Sequence, residues 1–225
     1  MPAMDPLPAG GIYKEKAMSY IHRYIEELKQ TLAELPEDRI EQVVQILHEA
    51  RLNNQQVFIM GNGGSASTAS HFVCDLGKNT RVKGVPNFRV MGLTDNMALF
   101  SALANDEGYD KVFMQQLASH IQAGDVVIGI STSGNSPNVV NAIQLADTIP
   151  AKTIGFTGFG SGRLGGMVDI DLHVPSHLIE HVEDIHLVLE HLICKELREK
   201  AMEMAALEEP LTVTPAVAYQ DENSF

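Results

Sequence analysis

VFIMGNGGS, residues 57–65, sets four consecutive apolar side chains directly before a glycine-rich turn. A short apolar run that ends in such a turn reads as a strand covered on both faces. Working outward, four more runs of this kind follow: FRVMGL at 88–93, VVIGI at 126–130, TIGFT at 153–157 and DIDLHV at 169–174. The stretches between them have helical period. Strands alternating with helices predict an α/β chain with a doubly wound parallel sheet. In such sheets ligands collect beyond the carboxyl ends of the strands, which directs attention to the residues after Met60 and Ile130.

Ahead of the first strand, residues 1–12 carry Pro2, Pro6, Pro8, Gly10 and Gly11 and read as a flexible lead-in. A helix is expected from about Tyr13, with Ile21, Ile25, Leu28 and Leu32 on one side. Pro36 interrupts it, and a second helix follows with Ile40, Val43, Val44 and Leu47 aligned. These stripes need a neighbour, and a second subunit is part of that expectation. Residues 13–200 read as one domain that includes this helical region. The last helix is expected from about His181 to Lys200, fraying through Ala206. Residues 201–225, with five acidic and no basic side chains, read as an acidic tail or an extended arm.

Sixteen basic and 29 acidic residues give a net charge of −13, which repels nucleic-acid backbones and anionic membranes. No apolar run is long enough to span a membrane. Two cysteines, Cys74 and Cys194, form no CxxC pair, and the start is unlike a signal peptide. A cytoplasmic protein with reduced thiols is expected.

Asn62, Gly63, Gly64 and Ser65 form the first loop, with a helix expected from about Ser67. Glycines permit unusual backbone angles and close ligand approach, and Ser65 can donate a hydroxyl hydrogen bond. Neither the Walker spacing nor the dinucleotide fingerprint is present, so no nucleotide cofactor is expected. The second loop, Ser131, Thr132, Ser133, Gly134, Asn135 and Ser136, leads into Pro137 at a helix start. Three hydroxyls from Ser131, Thr132 and Ser133, with amides at a helix N-terminus, can surround a phosphate without a lysine. Ser136 serves either the phosphate or the N-cap. Thr94 and Asp95, after another strand, can meet sugar hydroxyls, with Asp95 equally suited to cap the next helix.

His71 and Asp75 are four residues apart on one helix face. The final helix carries Glu183 and His191 on nearly one stripe, with His186 offset and Glu190 reading as an exposed charge. If the two helices meet above the loops, His71, Asp75, Glu183 and His191 suit either a metal site or an acid–base group.

The chain resembles the sugar isomerase, or SIS-domain, superfamily, and within it the phosphoheptose isomerase group. GNGGS at 61–65 and STSGNS at 131–136 carry the resemblance, together with FTGFGSG at 156–162, and it extends from the N-terminal helices through about Lys200. It implies a flavodoxin-like fold and a homotetramer with active sites at subunit boundaries. It also implies that Ser65, Ser131, Ser133 and Ser136 engage a substrate phosphate, that the positions of Asp75 and His191 are catalytic, and that His71, Asp75, Glu183 and His191 can hold zinc. Two positions depart from the family pattern: Asp75 replaces a glutamate and Glu183 a glutamine. The basic residue that helps place substrate in relatives has no identical match near Lys78 and Asn79.

The expected activity is ketose–aldose isomerisation of sedoheptulose 7-phosphate, or a close sugar-phosphate analogue, through an enediol. Asp75 and His191 move the protons, and a divalent ion, zinc first, is the expected cofactor. The alternatives are an isomerase for a different sugar phosphate and a noncatalytic sugar-phosphate-binding or adaptor protein. Retention of GNGGS, His71 and His191 favours the enzyme over the adaptor.

Overall fold

The computed structural model describes residues 19–208. The lead-in at 1–12, the helix start near Tyr13 and the tail beyond 208 lie outside the described residues. Two helices open the fold, α1 (Tyr20–Ala33) and α2 (Glu37–Leu52), followed by β1 (Gln56–Gly61) and α3 (Gly64–Lys78). Next come β2 (Arg89–Gly92), α4 (Met97–Asp106), a 3-10 turn at Tyr109–Lys111 and α5 (Val112–Ala118). The second half runs β3 (Val126–Ser131), α6 (Pro137–Asp147), β4 (Lys152–Thr157), α7 (Gly162–Gly165), β5 (Ile170–His173) and α8 (Ile179–Glu208).

All five expected strands form, and they pair in parallel in the order β2-β1-β3-β4-β5. Alternation along each strand divides the core into two layers. Val57 and Ile59 of β1 and Ile128 of β3 join α2, α3 and α8 in one buried cluster. Phe58, Met60 and Val127 face the other way, onto α5 and α6. The strand order reverses direction between β1 and β3, so their carboxyl ends flank a crevice, and the two expected ligand loops are the loops at that crevice.

Two boundaries differ from the expectation. α3 begins at Gly64 rather than near Ser67, because Gly63 turns the chain at φ +55° and the helix starts immediately behind it. α8 runs through Glu208, so the first eight residues of the expected tail continue the helix. Ala201 on this extension is fully buried, which gives that turn an apolar anchor.

His186 ties α8 to the sheet. Its imidazole is buried at 1% exposure, stacks edge-on against Phe156 and meets the Thr157 carbonyl through Nε2 at 3.2 Å. Burial holds its pKa down at about 4 against an ordinary 6.5, with nearby His173 acting in the same direction and the Thr157 carbonyl opposing. A neutral folded form has a definite consequence for stability. The contribution is complete above about pH 6.5, declines as pH falls from there, and is gone below about 4, a total of about 3 kcal/mol. Urea unfolding at pH 7.5 and 5.0 is therefore expected to show wild type losing about 2 kcal/mol more than His186→Gln. Equal losses in the two proteins would remove His186 as the titrating group.

Candidate active site

The first loop carries β1 into α3, and the helix start at Gly64 brings its unpaired opening amides to the crevice. Ser65 is 6% exposed in that first turn. Asn62 and Asn138 exchange side-chain amide bonds of 2.9 and 2.8 Å, and the Tyr109 hydroxyl donates to Asn62 Oδ1 at 2.8 Å. Asn62 therefore braces the first loop against the start of α6.

In the second loop the Ser131 and Ser136 hydroxyls lie 3.1 Å apart. Ser136 occupies the N-cap position of α6, but its side chain bonds no helical amide. Pro137 has no N–H and the Val139 amide donates to Asn138 Oδ1 at 3.0 Å, which leaves the Asn138 amide as the donor this turn can offer an anion. Ser133 is exposed and its Oγ accepts from the Asn135 amide at 3.2 Å. A third loop, within FTGFGSG, closes the back of the cradle. The Gly158 amide donates to the Thr132 carbonyl and the Leu164 amide to the Gly134 carbonyl, both at 2.9 Å. Gly134 has φ +64°, and a Cβ there would run into the Ser161 carbonyl. Behind this contact, the Ser161 and Thr157 hydroxyls reach His173 Nδ1 at 2.9 and 3.2 Å, while Thr157 donates to Asp171 at 2.8 Å. The sequence reading missed this brace; the alternating Asp171 and His173 beside an apolar strand were its available signal.

Thr94 and Asp95 lie at the end of β2 and turn toward α3. The Ser70 hydroxyl donates to Asp95 Oδ1 at 2.5 Å and lies 3.3 Å from the Thr94 hydroxyl. The N-cap of α4 is Asn96, which accepts from the Leu99 amide at 3.1 Å, so the capping role considered for Asp95 belongs to its neighbour.

α3 and α8 pack side by side, and four side chains converge on their shared face. His71 Nε2 and His191 Nε2 are 3.3 Å apart. Asp75 Oδ2 is 3.8 Å from His71 Nε2, and Glu190 Oε2 is 3.4 Å from His191 Nε2. One donor atom from each of the four lies within 4.8 Å of all the others. The imidazoles are exposed, whereas Asp75 is 8% and Glu190 0% exposed. Glu190 is thus no exposed charge: burial pushes its pKa up to about 8, with the Asp75 carboxylate adding to the rise and the Cys194 thiol opposing it. Burial and Glu190 together push the Cys194 thiol up as well. Glu183 is elsewhere on the same stripe. Its carboxylate covers Gly64, where a Cβ would meet Oε1 at 2.7 Å. Helical spacing offered a signal for Glu190: it falls among the buried positions His186, Ile193 and Leu197.

The SIS domain family model matches residues 19–158. The chain belongs to the SIS-domain family. This SIS-domain protein is 38% identical over 172 residues to a phosphoheptose isomerase of Aliarcobacter butzleri, covering 76% of this chain and 89% of that protein. It is 32% identical over 188 residues to a phosphoheptose isomerase of Geotalea daltonii, covering 83% and 96% of the two. The solved structure of a phosphoheptose isomerase from Francisella tularensis superposes with a TM-score of 0.74 at 30% identity, over 80% of this chain and 96% of that one.

Gly134 provides a test of the cradle's construction. Gly134→Ala is expected to cost at least about 1–3 kcal/mol in urea unfolding and to weaken phosphate binding by calorimetry, through its φ and the Ser161 carbonyl. Gly160→Ala, where a Cβ meets nothing within 4 Å, is expected to change neither. Equal behaviour of the two variants would contradict the three-loop cradle.

Proposed function

We propose that this SIS-domain protein is a phosphoheptose isomerase that converts sedoheptulose 7-phosphate, or a close sugar-phosphate analogue, to the aldose phosphate through an enediol. One observation carries this reading: a single helix serves both ends of the site. α3 starts in the cradle at Gly64 and carries His71 seven residues later, about 10 Å along its axis. An extended seven-carbon phosphate has a similar span, about 10 Å from phosphorus to C1 at about 1.3 Å of reach per bond. Phosphate held at one end therefore orients C1 and C2 at the other, which removes most of the entropic cost of alignment.

In this reading Ser65, Ser131, Thr132, Ser133 and Ser136, with the opening amides of α3 and the Asn138 amide of α6, hold the phosphate. Thr94, Asp95 and Glu183 meet sugar hydroxyls along the way. Asp75 takes the proton from C1 of the ketose while His191 delivers one to the carbonyl oxygen at C2, which gives the enediol. Return of a proton to C2, and loss of the O1 hydroxyl proton to His191, gives the aldehyde. Asp75 is one methylene shorter than the family glutamate, a deficit of about 1 Å that must be met by the placement of its neighbours.

The cluster also fits a divalent ion, with zinc the first candidate. Two imidazoles and two carboxylates, with one donor atom from each within 4.8 Å of the others, make a suitable donor set. Such an ion, when bound, polarises the substrate carbonyl and stabilises the developing oxyanion. No nucleotide cofactor belongs to this reading.

A homotetramer with active sites at subunit boundaries completes the proposal. Ile21 and Ile25 on α1, and Val188 and Leu192 on α8, are 71%, 44%, 43% and 46% exposed, and Leu192 adjoins His191. Apolar side chains in that arrangement favour a second subunit beside the cluster. A cytoplasmic setting is supported by two unpaired thiols and by the strong negative charge. Among the described residues no helix is long and apolar enough to cross a membrane.

Kinetics with sedoheptulose 7-phosphate separate the two ends of the site. Replacing both Ser131 and Ser133 with alanine is expected to raise KM by about 10-fold or more, with kcat much less affected. His191→Ala is expected to lower kcat by about 100-fold or more, with KM nearly unchanged. Loss of binding alone in both variants would contradict the assignment.

A further inference from the structure

The geometry points to Glu190, and not Glu183, as the fourth donor to the divalent ion in this chain, an assignment that rests on reading the cluster as a metal site but is independent of the sugar. Glu183 and Glu190 share a stripe of α8, seven residues and therefore about 10 Å apart. Packing against α3 sorts them. Glu183 is held over Gly64 at the cradle end, and Glu190 lies beside Asp75, His71 and His191. Two carboxylates cannot occupy one coordination position from opposite ends of that span.

The surroundings of Glu190 supply the second reason. Its side chain has no exposure, and Oε2 has no hydrogen-bond partner although it lies 3.4 Å from His191 Nε2. Its other oxygen, Oε1, has only a weak Cys194 thiol contact at 3.9 Å. An unpaired carboxylate oxygen in a buried position is costly, and buried charges are normally paired or bound to a metal. Here the vacant lone pair of Glu190 converges with two imidazole nitrogens and the Asp75 carboxylate. A divalent cation among these donor atoms, which lie within 4.8 Å of one another, would satisfy the Glu190 oxygen together with the other three.

The test uses full-length protein stripped by a chelator and reloaded, with no sugar present. Zinc affinity is measured by competition with a chromophoric chelator, and the visible absorption of the cobalt(II)-substituted protein reports the donor set. Glu190→Gln keeps the shape of the side chain and removes its charge, and its thermal melt checks folding. Glu190→Gln is expected to weaken zinc binding by about 10- to 100-fold or more and to alter the cobalt spectrum. Glu183→Gln is expected to leave affinity within about 3-fold and the spectrum unchanged, on the same scale of ligand-sphere effects. The reverse pattern, or unchanged binding and spectrum in a folded Glu190→Gln, overturns the assignment of Glu190 alone. Failure of wild type to bind zinc or cobalt at one ion per chain overturns the metal site itself. Because spectrum and affinity are read without turnover, neither result depends on the heptose reading.

Discussion

The parallel packing of α3 against α8 is the contact on which the site depends. Ala69, Phe72 and Leu76 of α3 share a buried cluster with Ile185, Leu189 and Ile193 of α8, all at 0–1% exposure. That apolar seam fixes both the separation and the register of the two helices. At one end Gly64 leaves no room for a side chain beneath Glu183. Further along, the same register brings His71 to His191 and Asp75 to Glu190. A change in the seam would move the two ends of the site relative to each other.

The seam also bears the cost of the polar cluster it encloses. Buried carboxylates such as Glu190 lose hydration that a single thiol contact does not replace. That loss, with the Asp75 carboxylate adding to it, raises the Glu190 pKa. Apolar burial on both sides of the sheet offsets it, since about 25 cal/mol accrues per Å² of apolar surface removed from water. Functional sites commonly hold such locally unfavourable groups, supported by the surrounding core.

The sheet and the two loops proposed to hold phosphate were legible in the sequence because each depends on local rules. Continuous apolar runs such as VVIGI announce a strand buried on both faces, and a loop of glycine and hydroxyl residues after it announces an anion site at a helix start. His71, Asp75 and His191 were legible from helical spacing and from the family resemblance. Glu190 was not, because charge type argued for the surface while its burial is decided by a neighbouring helix that is distant in sequence. Glu183 shares the stripe but meets a different part of α3, at Gly64. The brace of Thr157, Ser161, Asp171 and His173 was likewise invisible, since it joins a strand end, a loop and the next strand through side chains alone.

The most direct measurement is NMR of sedoheptulose 7-phosphate incubated with the metal-analysed protein in deuterium oxide. Formation of the heptose 7-phosphate with solvent deuterium entering at C2 is the predicted result, since an enediol exchanges its proton with the acid–base group. A protein that binds the sugar phosphate in the presence of zinc, yet yields neither aldose nor exchanged ketose, would contradict the account.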